Sequence, residues 1–168
     1  MAIKDSILPE FDHEMATTRK LLERVPEDKK DWQPHPKSMS LGRLSQHLAT
    51  IPHWASVTMK ETELHMNPPG GPAYTPPEFE STASALATFD RNVREGREAI
   101  AAAEDKDWMV QWTLKNAGQP IFTLPRVAVL RSFVTNHMIH HRGQLSVYLR
   151  LNDVPIPSIY GPSADEAI

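Results

Sequence analysis

The chain has no cysteine. That absence excludes a disulfide framework, cysteine-ligated zinc, an iron–sulfur site, a thiol nucleophile and CxxC redox chemistry. Glycine is scarce, with 7 among 168 residues, which argues against a flexible low-complexity chain. There is no basic excess: 18 Lys and Arg stand against 21 Asp and Glu, a formal net charge of −3. Without a Lys/Arg stripe to track phosphates, no nucleic-acid partner is expected. No run of about 18 apolar residues occurs, so no membrane span is expected either. The segment Met1-Ala2-Ile3-Lys4-Asp5-Ser6 lacks the apolar stretch of a signal peptide, and the expected location is the cytoplasm.

Proline and histidine are what the chain has in quantity. Its length suits one domain, 1–168, with a core that needs no staples. The 15 prolines exceed the usual ~5%, and all but Pro9 and Pro52 fall in clusters around residues 26–36, 68–77, 120–125 and 155–162. Between them lie four windows of helical periodicity. The first, about Asp5 to Val25, carries Ile7, Leu8, Phe11, Met15, Leu22 and Val25 on one face, with Pro9 in its first turn. The second, about Ser40 to Met66, has Ser40 as N-cap and the stripe Leu41, Leu44, Leu48, Ile51, Ala55, Met59. Pro52 must kink it or start a fresh turn. The third, about Ser81 to Ala103, is marked by Leu86, Phe89, Val93 and Ile100. The fourth, about Leu124 to Leu151, has Pro125 suited to a first helical position and Val127, Leu130, Val134, Met138, Leu145 and Tyr148 on its buried side.

The expected fold is all-α, a four-helix bundle. Met109–Leu114 and Ile121–Leu124 leave room for a short hairpin before the fourth helix, but two strands alone are marginal. The second helix, about 40 Å long at ~1.5 Å per residue, is matched by the linker Asn67–Glu80, which reaches at most about 46 Å extended. Helices 2 and 3 can therefore run parallel through a long crossover.

Of the eight histidines, His137 and His141 are four apart on the fourth helix and continue its inward stripe. His47 lies among Leu44, Leu48 and Ile51, so it also points inward. A lone inward histidine is most often a satisfied core residue. Three on two helices, with no cysteine competing, make a candidate site for a zinc- or nickel-type ion with a position left for water or substrate. A di-iron bundle needs two Glu-x-x-His motifs, and only Glu10-Phe11-Asp12-His13 fits. His140, on the flank, and His53, after Pro52, are candidates for a base standing beside the metal ligands. His13, His35 and His65 read as surface or loop residues, and Asp165 and Glu166 as surface charges. Trp32, Trp54, Trp108 and Trp112 read as packing, and Arg142 and Gln144 as positioning the fourth helix or its neighbouring backbone.

Asn136-His137-Met138-Ile139-His140-His141-Arg142-Gly143-Gln144-Leu145 resembles the NHxxxHHRGQL signature of the DinB/YfiT-like superfamily. Leu44-Ser45-Gln46-His47-Leu48 resembles its upstream ligand helix, and the tail from Val154 to Glu166 is similar to endings in one branch. The resemblance implies an up-down-down-up bundle, a homodimer, and a divalent metal, often nickel or zinc, held by His47, His137 and His141. It also implies activity on a small molecule. The leading expectation is a metal-dependent thiol S-transferase using a low-molecular-weight thiol, which agrees with a chain that has no sulfhydryl of its own. A metal-dependent hydrolase ranks second, because no Asp or Glu adjoins the three histidines in sequence. A non-catalytic bundle with structural metal, or none, is the third reading.

Overall fold

A computed structural model of the chain describes residues 2–167. Helix α1 spans Ile3–Leu22, α2 Leu41–Thr50, α3 His53–Lys60 and α4 Thr82–Ala102. A last helical unit joins α5 (Arg126–Val129), a π-helical segment (Leu130–Asn136) and α6 (His137–Leu151). Strands β1 (Glu63–His65), β2 (Gln111–Asn116) and β3 (Gln119–Pro125) form one sheet in the order β1-β2-β3.

Each helix boundary has a local cause. Ser40 Oγ accepts the Arg43 N–H at 3.3 Å and Ser81 Oγ the Ser84 N–H at 3.0 Å, satisfying donors that the first turns leave free. Pro52 separates α2 from α3 and begins a fresh turn, with the Ala55 N–H donating to its carbonyl. Helix α1 starts before Asp5, so Pro9 falls beyond the first turn, where its ring forfeits one backbone hydrogen bond. The apolar stripes meet in one core: Phe11 and Met15 of α1, Leu44 and Leu48 of α2, Phe89 and Ile100 of α4, and Met138 and Leu145 of α6 are all buried. Full burial of such side chains contributes roughly 1.5–3 kcal/mol each.

Cross-helix pairs give the directions. Arg19 bonds Asp90 and Arg97 bonds Asp12, so α1 and α4 are antiparallel. Glu10 pairs with Arg131 and Glu14 with Arg142, so α1 runs parallel to the last helical unit. Asn92 donates to the Ala49 carbonyl, and Gly96 sits against Pro52 and Ala55, so α4 runs parallel to α2 and α3. The chain between α3 and α4 therefore travels back along the bundle.

The all-α expectation is corrected by the sheet. The segment expected to close the second helix ends at Lys60, and Glu63–His65 instead pairs in parallel with β2, Glu63 opposite Thr113. Strands β2 and β3 are antiparallel with a register shift at Leu114/Lys115. Ala117 and Gly118 form their turn at φ 48° and 78°, the left-handed pair that a two-residue hairpin loop requires. The third strand supplies what a bare hairpin lacks: Trp112, Leu114 and Val129 form a small second core, with Val57, Leu64 and Phe133 against it. The fold is mostly helical with a three-stranded mixed sheet.

Candidate metal centre

Helix α2 carries His47 and α6 carries His137 and His141, and the structure brings the three rings together. The His137 Nε2 lies 2.8 Å from His141 Nε2 and 3.3 Å from His47 Nε2. One nitrogen from each ring falls within 4.8 Å of the others, which makes the trio able to hold a metal ion. Two tetrahedral ligands at ~2.0–2.1 Å from zinc lie about 3.3 Å apart, close to the two spacings that His137 makes with its neighbours.

The donor chemistry fits a cation. His137 Nδ1 is 3.3 Å from the Phe133 carbonyl, which can only accept, so the proton sits on Nδ1 and Nε2 carries a lone pair. His141 Nδ1 likewise donates to Gln144 Oε1 at 2.7 Å. Two lone pairs then face each other at 2.8 Å, an arrangement that a cation between them relieves. Hydrogen bonding through the far ring nitrogen is also how ligating histidines are commonly oriented. Burial, followed by the charge of the neighbouring rings, lowers the pKa of His47 from 6.5 to about 4; burial does the same for His137, and lowers that of His141. At neutral pH the rings are uncharged and ready to donate.

Several elements aim these rings. The π-helical segment ends immediately before His137 and supplies Phe133 and its carbonyl. Such widened turns recur at functional sites because they reset the helix face. Trp54 stacks on Phe133 at 4.6 Å and on His137 at 5.5 Å between centroids, and stands edge-on to His47 at 5.9 Å. Next to His141, Arg142 is 1% exposed and is held by Glu14 Oε2 at 2.6 Å, while its Nη2 donates to the Tyr160 hydroxyl. Tyr160 donates in turn to Glu14 at 2.8 Å. The C-terminal tail thus locks the rotation of α6. Arg24 pairs with Glu166 and Arg150 with Asp165, so these carboxylates anchor the tail rather than only solvating it.

A cavity of about 170 Å³ reaches His47 and Trp54 and is otherwise lined by Arg43, Gln46 and Tyr74 among others. A wider one, about 450 Å³, adjoins it through Arg43, Pro76 and Pro77. His140 is exposed, with its ring 4.9 Å from that of His141. His53 does not join the cluster; it faces Glu95 at 3.9 Å and lines a different cavity. His13 stacks on Tyr160, His35 sits in the loop before α2, and His65 pairs with Glu63 in β1. Among the described residues no carboxylate shares the trio's site.

Trp54 packs in the core, as expected, and Gln144, expected to position the fourth helix or its neighbouring backbone, bonds His141; both also touch the site. The signals were present. Trp54 follows His47 by seven residues, two helical turns, and Gln144 follows His141 by three, within reach on the same face.

The DinB family model matches residues 2–167. The Bacillus subtilis (strain 168) protein YrdA is 24% identical over 162 residues, covering 96% of this chain and 90% of that protein. A crystal structure of a DinB-like protein from Bacillus cereus ATCC 10987 has a TM-score of 0.73 at 25% identity, covering 95% of this chain and 98% of the other. The Bacillus subtilis DinB-like protein YjoA shares the fold, with a TM-score of 0.67 at 20% identity over 89% of this chain and 96% of its own.

Proposed function

The chain belongs to the DinB family, and on that premise we propose that it is a metal-dependent thiol S-transferase acting on small molecules. His47, His137 and His141 are the ligands of a zinc- or nickel-type ion, and a low-molecular-weight thiol is the cosubstrate. The observation that carries this reading is the convergence of three uncharged imidazoles, one of which, His47, lines a small cavity, in a chain without cysteine. The bound cation would supply the positive charge that keeps a thiol deprotonated near neutral pH.

The chain's own residues do the rest. The Phe133 carbonyl and Gln144 hold two of the rings with Nε2 outward. Trp54 and Phe133 form an apolar wall that limits water on one side. The cosubstrate sulfur, having lost its proton to solvent, bonds to an electrophilic carbon, and the displaced group leaves with the electron pair of the broken bond. Because no described carboxylate stands at the trio to activate water, transfer ranks above hydrolysis.

The test is conjugation of a chromogenic electrophile with a panel of biological thiols, with and without zinc or nickel. Metal-dependent turnover with at least one thiol is expected. Ester or amide cleavage without any thiol would replace this reading with hydrolysis, and no metal-dependent turnover with any partner would remove it.

A further inference from the structure

The cavity that His47 lines carries polar side chains that the proposed transfer chemistry leaves unused. Among the described residues lining it, Arg43 is the sole permanent charge. Arg19, Arg24, Arg97, Arg131 and Arg142 each pair with a carboxylate, whereas Arg43, like Arg91, Arg94 and Arg126, has none within ion-pair distance among the described residues. Its guanidinium is exposed, and it precedes His47 by four residues, so both side chains share one face of α2, about one ~5.4 Å turn apart.

Gln46 supplies the second observation. The residue is 5% exposed and lines the same cavity. Its backbone carbonyl accepts from Thr50, and its side-chain amide makes no hydrogen bond among the described residues. That amide is not sealed from solvent, so it is free to bond a ligand's polar group in the cavity. Tyr74, from the proline-rich crossover, faces the same space. The volume, about 170 Å³, is below the ~300–1,000 Å³ of drug-sized sites, so it takes a small molecule or one end of a larger one.

We propose that Arg43 and Gln46 are specificity-determining residues that select a ligand carrying a carboxylate. The guanidinium fork takes the carboxylate in two parallel hydrogen bonds, and the Gln46 amide takes a neighbouring polar group. One cation suits one monoanionic group; a phosphate would call for more positive charge than this wall carries. The inference rests on the proposed transfer reading only for the ligand's direction, with sulfur toward the histidines and carboxylate toward Arg43.

The experiment is calorimetric titration of 3-mercaptopropionate and its methyl ester into wild-type protein, Arg43→Gln, Arg43→Lys and Gln46→Leu, each metal-free and zinc-loaded. Cobalt-substituted protein reports sulfur ligation through its charge-transfer band. The acid is expected to bind about tenfold more tightly than the ester in wild type, the scale of one charge-assisted hydrogen-bonded pair. Arg43→Gln should erase the preference, Arg43→Lys should keep part of it, and Gln46→Leu should weaken the acid. Equal binding of acid and ester in wild type, or a preference that survives Arg43→Gln, overturns the inference. A cobalt–sulfur band without acid preference overturns it while leaving the transferase reading intact. An acid preference that Arg43→Gln abolishes, with no band from any thiol, supports it and removes thiol ligation. Arg43 is exposed, so the variants are expected to fold, and unchanged thermal unfolding checks this.

Discussion

Replacing Glu14 by Leu should be among the most damaging single changes outside the apolar core. Arg142 is 1% exposed and Glu14 6% exposed, and their 2.6 Å contact sits between α1 and α6. With Glu14 truncated to an apolar side chain, the guanidinium keeps the Glu14 carbonyl at 3.2 Å and the Tyr160 hydroxyl at 2.6 Å, but no anion. Removing one partner of a buried pair costs about 3–5 kcal/mol, chiefly because the other charge is left uncompensated. For a chain of this length, at about 2–4 °C per kcal/mol, the melting temperature should fall by about 6–20 °C. The sharper test is the cycle completed by Arg142→Met. If the penalty comes from a stranded cation, the double variant Glu14→Leu/Arg142→Met should regain most of what Glu14→Leu alone loses. Urea unfolding of the four proteins measures it, with unchanged m-values showing that the comparison is of stability alone. A loss below about 1 kcal/mol in Glu14→Leu, or a double variant no better than that single one, would refute the reasoning.

Other expectations follow from the same contacts. Gln144→Leu should leave the fold intact and weaken zinc affinity by about 10–100-fold, because His141 loses the bond that orients its ring; competitive titration with a chelator reads this, and an unchanged affinity contradicts it. At Gly96 a β-carbon would meet the Pro52 carbonyl at 3.0 Å and Ala55 Cβ at 3.1 Å. Gly96→Ala should therefore destabilise by about 1–3 kcal/mol despite Ala's better helix propensity, and a raised urea midpoint would count against the close packing of α3 on α4. Metal-free protein should lose stability on acidification from pH 7.5 to 5. The unfolded chain takes up protons near 6.5, whereas burial holds His47 and His137 at about 4 in the fold, so the unfolded state binds more protons across that window. Urea midpoints with chelator present measure the slope, and His47→Leu/His137→Leu should flatten it; a midpoint that rises on acidification reverses the sign and rejects the explanation.

The helices were legible because their signals are local. The stripe Leu41, Leu44, Leu48, Ile51 and the cap at Ser40 lie within a few turns of one another, and the structure buries or bonds each of them. His137 and His141 announced themselves by four-residue spacing on one helix, and His47 by its place among buried leucines. Strand β1 was not legible. Glu63-Leu64-His65 is three residues long, continues the rhythm of the preceding helix, and gains its partner from residues about fifty positions later. The Glu14–Arg142–Tyr160 cluster joins residues from both ends of the chain, so no window contains it. The π-helical turn before His137 likewise lacks a local mark, since its residues suit an ordinary helix equally well. Trp54 packs in the core as its residue type suggests, and it also touches His47 and His137, a second role that its seven-residue spacing from His47 allows.

The most direct measurement is elemental analysis of the protein purified without a histidine tag, paired with thermal unfolding as zinc or nickel is added. The account predicts about one divalent ion per chain, held by three imidazoles. A metal present at 100 times its dissociation constant should stabilise the fold by about 2.7 kcal/mol, and His137→Ala should abolish both the ion and the added stability. Wild-type protein with negligible zinc and nickel, and with a melting temperature that neither ion raises, would contradict it.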